Sequence, residues 1–208
     1  MSTLVQYNLN NNNPNFNKVV KQNELFTTIN RKGEECAPDF ISIDSGDGGT
    51  GAAPLTLIDD MGLDIQETLP ILVDKLIEYG LRDRIRVIAS GKLINPADVA
   101  WALCAGADCV VSARGFMFSL GCIQAMRCDK NTCPTGITTH DKRLQRGLVV
   151  KKKSKRVAHY QENMMKELYT IAHSCGVSNP GLFNRKHARL IVQSNKSISL
   201  EELYQRKS

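Results

Sequence analysis

Residues 85–112 read Ile85-Arg86-Val87-Ile88-Ala89-Ser90-Gly91-Lys92-Leu93-Ile94-Asn95-Pro96-Ala97-Asp98-Val99-Ala100-Trp101-Ala102-Leu103-Cys104-Ala105-Gly106-Ala107-Asp108-Cys109-Val110-Val111-Ser112. Residues 85–89 are short, apolar and rich in β-branched side chains, the signature of a buried strand. Asn95-Pro96 supplies a side-chain cap and a first-turn proline, so a helix opens there, runs through Leu103 and ends near Gly106. Residues 108–112 form a second β-branched run. Strands separated by helical crossovers in this way form a parallel sheet, since parallel neighbours need a crossover that a tight hairpin cannot supply.

The same alternation extends upstream. Residues 40–44 (Phe-Ile-Ser-Ile-Asp) read as another buried strand. Between it and the next strand, residues 66–79 carry Leu69, Leu72, Val73, Leu76 and Ile77, an amphipathic helical stripe stopped by Gly80. Residues 24–35 read as a helix with Leu25, Phe26 and Ile29 on one side. The predicted class is α/β, with consecutive β/α units. Past residue 140, Val157, Tyr160, Met164, Leu168 and Ile171 line one face of a long helix closed by Gly176, and the last thirty residues are expected to be helical or loose.

Three predicted strand ends lead into suggestive loops, where parallel β/α folds place their working residues. After the first comes Ser45-Gly46-Asp47-Gly48-Gly49-Thr50-Gly51, with four glycines in six positions. Such a loop turns amide N–H groups toward an anion or flat ring, although plain turn geometry is the simpler reading. After the second comes Ser90-Gly91-Lys92, and after the third Ala113-Arg114-Gly115, which opens a helix. Small residues offering amides, a helix N-terminus and an arginine suited to bidentate contact together predict phosphate binding. The alternative for Arg114 is an ion pair capping the sheet.

Cys122, Cys128 and Cys133-Pro134 lie among polar residues at spacings of six and five positions. Thiolates so close in sequence can converge on an iron–sulfur cluster, and a Cys-Pro ending recurs in such ligand runs. Three ligands suggest a 3Fe–4S centre. Zinc competes, but would need a fourth ligand, for which His140 is the nearby candidate. Cys36, Cys104, Cys109 and Cys175 sit in or beside apolar stretches and read as small core hydrophobes.

Composition narrows the class. The chain has 208 residues, 42% hydrophobic and 23% charged, with a net charge of +6. Much of the excess lies in Lys151-Lys152-Lys153-Ser154-Lys155-Arg156, so no spread field for nucleic acid exists. No apolar run reaches the roughly 20 residues of a membrane span. Seven cysteines, an odd number, with no secretory leader point to a reducing, cytoplasmic setting. Seven asparagines between Asn8 and Asn17 predict a disordered tail over residues 1–22. The expected organisation is that tail, a cofactor-binding β/α unit over 23–140, and a helical extension over 141–208.

The motifs DFISIDSGDGGTGAAP (39–54), LRDRIRVIASGKL (81–93), ARGFMFSLGCIQAMRCDKNTCPTGITT (113–139) and QRGLVV (145–150) together resemble the synthase domain of the FMN-binding glutamate synthase family, from about residue 24 to 182. The resemblance implies a partial (β/α)8 TIM barrel, comprising its last three β/α units. It maps a 3Fe–4S cluster onto Cys122, Cys128 and Cys133. It places the FMN phosphate at Ser90, Gly91, Lys92, Ala113, Arg114 and Gly115, and sets Gly48, Gly49, Thr50 and Gly51 beside the flavin and substrate. It implies reductive formation of L-glutamate from 2-oxoglutarate and ammonia or glutamine-derived nitrogen. An electron-donor protein or a nicotinamide-linked reductase would supply the electrons.

No catalytic residue is assigned. The chain begins Met1-Ser2, without the N-terminal cysteine of glutamine-hydrolysing members, so that step is not expected of it. A full barrel takes about 250 residues, so three units would leave two sheet edges open. Three outcomes are compatible with that: part of a longer protein, a chain completed by a partner, or a non-catalytic remnant that holds the cluster. An IMP-dehydrogenase-like oxidoreductase is a weaker alternative, because it leaves the two later cysteines without a purpose.

Overall fold

Parallel pairing dominates the computed structural model, which describes residues 4–8, 16–46, 62–193 and 195–204. The strands β1 (Leu4–Asn8), β2 (Phe40–Asp44), β3 (Arg86–Ser90) and β4 (Cys109–Val111) form one sheet in the order β1-β2-β3-β4, every pair parallel. Each strand lies beside the next in the chain. A doubly wound sheet would reverse direction, so the observed order is compatible with an arc of a β/α barrel. Helices α1 (Phe16–Lys32), α2 (Ile65–Glu78) and α3 (Pro96–Ala105) supply the crossovers, and α4 (Ala113–Leu120) follows β4.

Local chemistry sets the helix ends. Asp64 caps α2 by accepting from the Glu67 amide at 2.9 Å. At α3, Asn95 accepts from the Asp98 amide at 2.9 Å while Asp98 receives the Asn95 amide, a reciprocal capping box behind Pro96. Gly106 ends α3 with φ 114°, and a Cβ there would stand 2.8 Å from Val73 Cγ1.

Strand period and helix period meet in one core. Ile41 and Ile43 of β2 and Val87 and Ala89 of β3 face the same side, paired in register, beneath Leu69, Leu72 and Leu76 of α2. The opposite face alternates with it. There Phe40, Ser42 and Asp44 are half-buried, while Arg86, Cys109 and Val111 are exposed. At the sheet's end, Asp108 pairs with Arg82 at 2.9 Å and Arg86 at 3.2 Å, and accepts the Val87 amide at 2.7 Å. Burial raises its pKa, but the Val87 amide and the two guanidinium groups outweigh that and hold it below the usual carboxylate range.

Four expectations change, the first being that Cys36 and Cys109, read as core hydrophobes, are exposed, whereas Cys104 is buried and Cys175 half-buried. Residues 1–22 are not simply a tail, since 4–8 add a strand to β2 and 16–22 begin α1. The asparagine run hid Leu4-Val5-Gln6-Tyr7, whose backbone satisfies the open edge of β2; residues 9–15 lie outside the described residues. The sheet accordingly has four strands where three were read.

Nor are residues 141–208 wholly helical. After the short helix α5 (Lys142–Gln145) and the long α6 (Val150–Ser174), β5 (Arg189–Gln193) and β6 (Lys196–Ser199) form an antiparallel hairpin, followed by α7 (Leu200–Leu203). Leu200 is fully buried, and Arg185 ties this end to α2 through Asp74 at 2.6 Å. Among the described residues, no helix is long and apolar enough to cross a membrane.

Candidate functional site

The ends of β2, β3 and β4 gather two of the three predicted loops on one side. Asp44 and Ser90 are register partners, as are Ser90 and Val111, so the loops emerge side by side. The Ser45 amide donates to Ser90 O at 3.0 Å and continues the pairing one residue further. Gly91 (φ 152°) and Lys92 (φ 45°) then turn the chain sharply away, which explains the glycine. Gly48, Gly49, Thr50 and Gly51 lie outside the described residues.

Ala113, Arg114 and Gly115 are the first turn of α4. The first amides of a helix have no partner within the helix and carry its positive dipole end, so this turn suits an anion. Gly115 has a second, steric reason: a Cβ would fall on the hydroxyl of Tyr160 of α6. That hydroxyl donates to Ile94 O at 2.7 Å and meets Ser112 Oγ at 3.0 Å. Sequence reading placed Tyr160 only in an apolar stripe; the hydroxyl's role had no one-dimensional signal.

Past Gly121 the chain leaves regular structure until Lys142, apart from one short turn at Cys128–Lys130. Gln124, Met126 and Asn131 all adopt positive φ (54°, 53° and 57°). Each costs a non-glycine residue on the order of 1 kcal/mol, so strong local contacts must hold the loop. Asn131 provides several: its side chain accepts the His140 amide at 2.6 Å, and its carbonyl accepts the Thr139 hydroxyl at 2.6 Å. Gln145 donates to Thr139 O at 2.8 Å and so fastens the loop to α5.

This loop brings Cys122, Cys128 and Cys133 to the wall of one pocket, with Met117, Ile123 and Met126 also on its wall. His140 is not among its lining residues. Among the described residues, no three His, Cys, Asp or Glu side chains surround a single metal ion.

The donor set around Cys133 is the sharper test. Burial raises its pKa, yet the Thr135 hydroxyl at 3.2 Å, the Thr138 amide and hydroxyl, and the Ile137 amide outweigh this and bring the thiol down to about 6. The buried Thr138 hydroxyl has no hydrogen-bond partner of its own, so the Thr135 hydroxyl is the direct contact to this sulfur. Donors converging on a sulfur hold it as a thiolate, the form that ligates metal. This donor set suits thiolate ligation at Cys133.

Basic residues flank the C-terminal end of α4 in a way the sequence did not disclose. A Cβ on Gly121, at the end of α4, would lie 2.8 Å from Lys153 Nζ and 3.5 Å from Arg156 Nη1. Part of the lysine run thus faces the negative end of a helix rather than open solvent.

Comparison with known proteins agrees with these motifs. Residues 6–178 match the conserved region in glutamate synthase. The chain is 42% identical over 180 residues to a glutamate synthase large subunit-like protein of Bacillus subtilis, covering 86% of this chain and 34% of that protein. It is 34% identical over 141 residues to an archaeal glutamate synthase (NADPH) of Methanocaldococcus jannaschii, covering 68% of this chain and 28% of that protein. Against the glutamate synthase (NADPH) large chain of B. subtilis it is 37% identical over 108 residues, 7% of that protein. The chain spans about a third or less of the length of these relatives.

Proposed function

The chain belongs to the glutamate synthase family, and from that premise we propose that it forms the cluster-binding and flavin-phosphate-binding part of an L-glutamate-forming oxidoreductase. Cys122, Cys128 and Cys133 would hold a 3Fe–4S cluster. The Ser90-Gly91-Lys92 turn and the Ala113-Arg114-Gly115 helix start would hold the phosphate of FMN, with Gly48, Gly49, Thr50 and Gly51 beside the ring. When bound, the two groups supply electron and hydride transfer to the nitrogen-bearing carbon derived from 2-oxoglutarate and ammonia or glutamine-derived nitrogen. An electron-donor protein or a nicotinamide-linked reductase is the implied partner, and a cytoplasmic setting suits seven unbridged thiols.

The observation that carries this reading is that three cysteines line one pocket, with the Thr135 hydroxyl 3.2 Å from the sulfur of Cys133. Its chemistry follows from these residues. The amides and hydroxyls stabilise negative charge on sulfur, and the α4 amides stabilise it on phosphate.

Anaerobic purification followed by iron, sulfide and flavin assays tests the reading. About three irons per chain and bound FMN are expected. Cys128→Ser should abolish iron retention, and full iron in that variant would remove the assigned ligand.

A second reading is a cluster-holding remnant that does not catalyse alone, or one that needs a chain to complete the barrel. The exposed Arg86, Cys109 and Val111 on the sheet face opposite α2 favour it. Iron without flavin in the isolated chain would support it.

A further inference from the structure

We propose that Tyr160 is a positioning residue which locks the turn after β3 and the start of α4 into one anion-binding wall. The long helix α6 would then be a structural part of the site and not an appendage to it. The proposal rests on the reading that these two loops take the flavin phosphate.

The geometry is that of a bridge. The Tyr160 hydroxyl proton goes to Ile94 O at 2.7 Å, so the Ser112 hydroxyl donates to the tyrosine oxygen at 3.0 Å. Ile94 ends the Gly91-Lys92 turn and Ser112 immediately precedes the first turn of α4. One oxygen thus touches both loops, from a helix whose buried Met164, Leu168 and Ala172 anchor it in the core. The ring is held as well, edge to face against Phe116 at 5.1 Å between centroids.

The Ser112 hydroxyl makes no hydrogen bond to its own helix amides, although serine at that position commonly does so. It is turned to the tyrosine instead, which leaves the amides of the α4 first turn without a side-chain acceptor from their cap. Gly115 completes the arrangement, because any larger residue would displace the Tyr160 hydroxyl. The small residue at 115 and the tyrosine at 160 are thus one device.

Nothing about packing alone asks for that hydroxyl. A phenylalanine would fill the same space and keep the contact with Phe116. What the hydroxyl adds is a fixed separation between two loops that a phosphate must contact together.

The test uses the full chain with Tyr160→Phe, and Ser112→Ala as a second variant. Amide hydrogen exchange is followed in peptides covering 91–95 and 112–116, and FMN and riboflavin affinities are read from flavin fluorescence. In Tyr160→Phe both peptides should exchange about fivefold to tenfold faster, as expected for loss of a part-buried hydrogen bond, while core peptides around 41–43 and 164–172 stay unchanged. FMN affinity should fall by a similar factor with riboflavin affinity unaltered, since only FMN carries the phosphate. Ser112→Ala should loosen 112–116 and leave 91–95 protected.

Unchanged exchange in either loop of Tyr160→Phe would overturn the proposal, and so would an equal loss for FMN and riboflavin. If the unaltered chain binds neither flavin, the functional reading fails, and the exchange pattern alone decides whether Tyr160 couples the loops.

Discussion

The donors around Cys133 make a quantitative prediction for the metal-free chain. With a pKa of about 6 in place of 9.0, roughly 90% of Cys133 is thiolate at pH 7, against about 1% for an unperturbed group. The Thr135 hydroxyl at 3.2 Å is the donor most easily removed. A hydrogen bond to a charged group contributes about 1.5–3 kcal/mol, and one pKa unit is about 1.4 kcal/mol, so Thr135→Val should raise the Cys133 midpoint by about one to two units.

The assay is the pH dependence of iodoacetamide labelling of the chelator-treated, anaerobic chain, with each cysteine resolved by peptide mass spectrometry. Because Cys133 is only 8% exposed, the midpoint of the profile is the readout and not the absolute rate. A midpoint for Cys133 near 8.5, the value of an ordinary thiol, would refute the reasoning. So would an identical profile in Thr135→Val. The linkage sign is also fixed: a depressed folded pKa adds stability above the unfolded value, and that stability is lost as pH falls through about 6.

Other expectations test the scaffold. Gly106→Ala should cost more than Gly80→Ala in urea unfolding. Both have positive φ, worth about 1–2 kcal/mol, but only the Gly106 Cβ meets a neighbour, at 2.8 Å, while nothing lies within 4 Å of Gly80; equal losses would dismiss the Val73 contact. Asp108→Asn should destabilise by about 1–3 kcal/mol at pH 6. Its lowered pKa means the effect persists above the unfolded value of about 3.9 and shrinks as pH falls through the lower folded one, measurable as a closing gap in melting temperature. Asn95→Ala should remove about 1 kcal/mol by opening the α3 capping box, read in the same melts.

Much of the fold was legible because local rules agreed with one another. The β-branched runs at 40–44, 85–89 and 108–112 became β2, β3 and β4 to within about two residues. Leu69, Leu72, Val73 and Leu76 of the stripe are the buried face of α2 while Ile77 is exposed, and Asn95, Pro96 and Gly106 bound α3 as read. Less legible were β1, masked by its asparagine neighbours, and the β5–β6 hairpin. Ile191 is 83% exposed there, so no buried, alternating face marked the strand.

The strand and helix types, the parallel class and the three cysteines were readable along the chain, because periodicity, caps and spacing are properties of neighbouring residues. Which groups serve those residues emerged only once the chain was folded. The donors that lower the Cys133 thiol occupy a loop whose path depends on Asn131, Thr139 and Gln145. The hydroxyl joining the loops at Ile94 and Ser112 comes from a residue 66 positions beyond the first and 48 beyond the second. Hydrogen bonds act over about 3 Å of space and take no account of distance along the chain, so one-dimensional pattern could not reveal them.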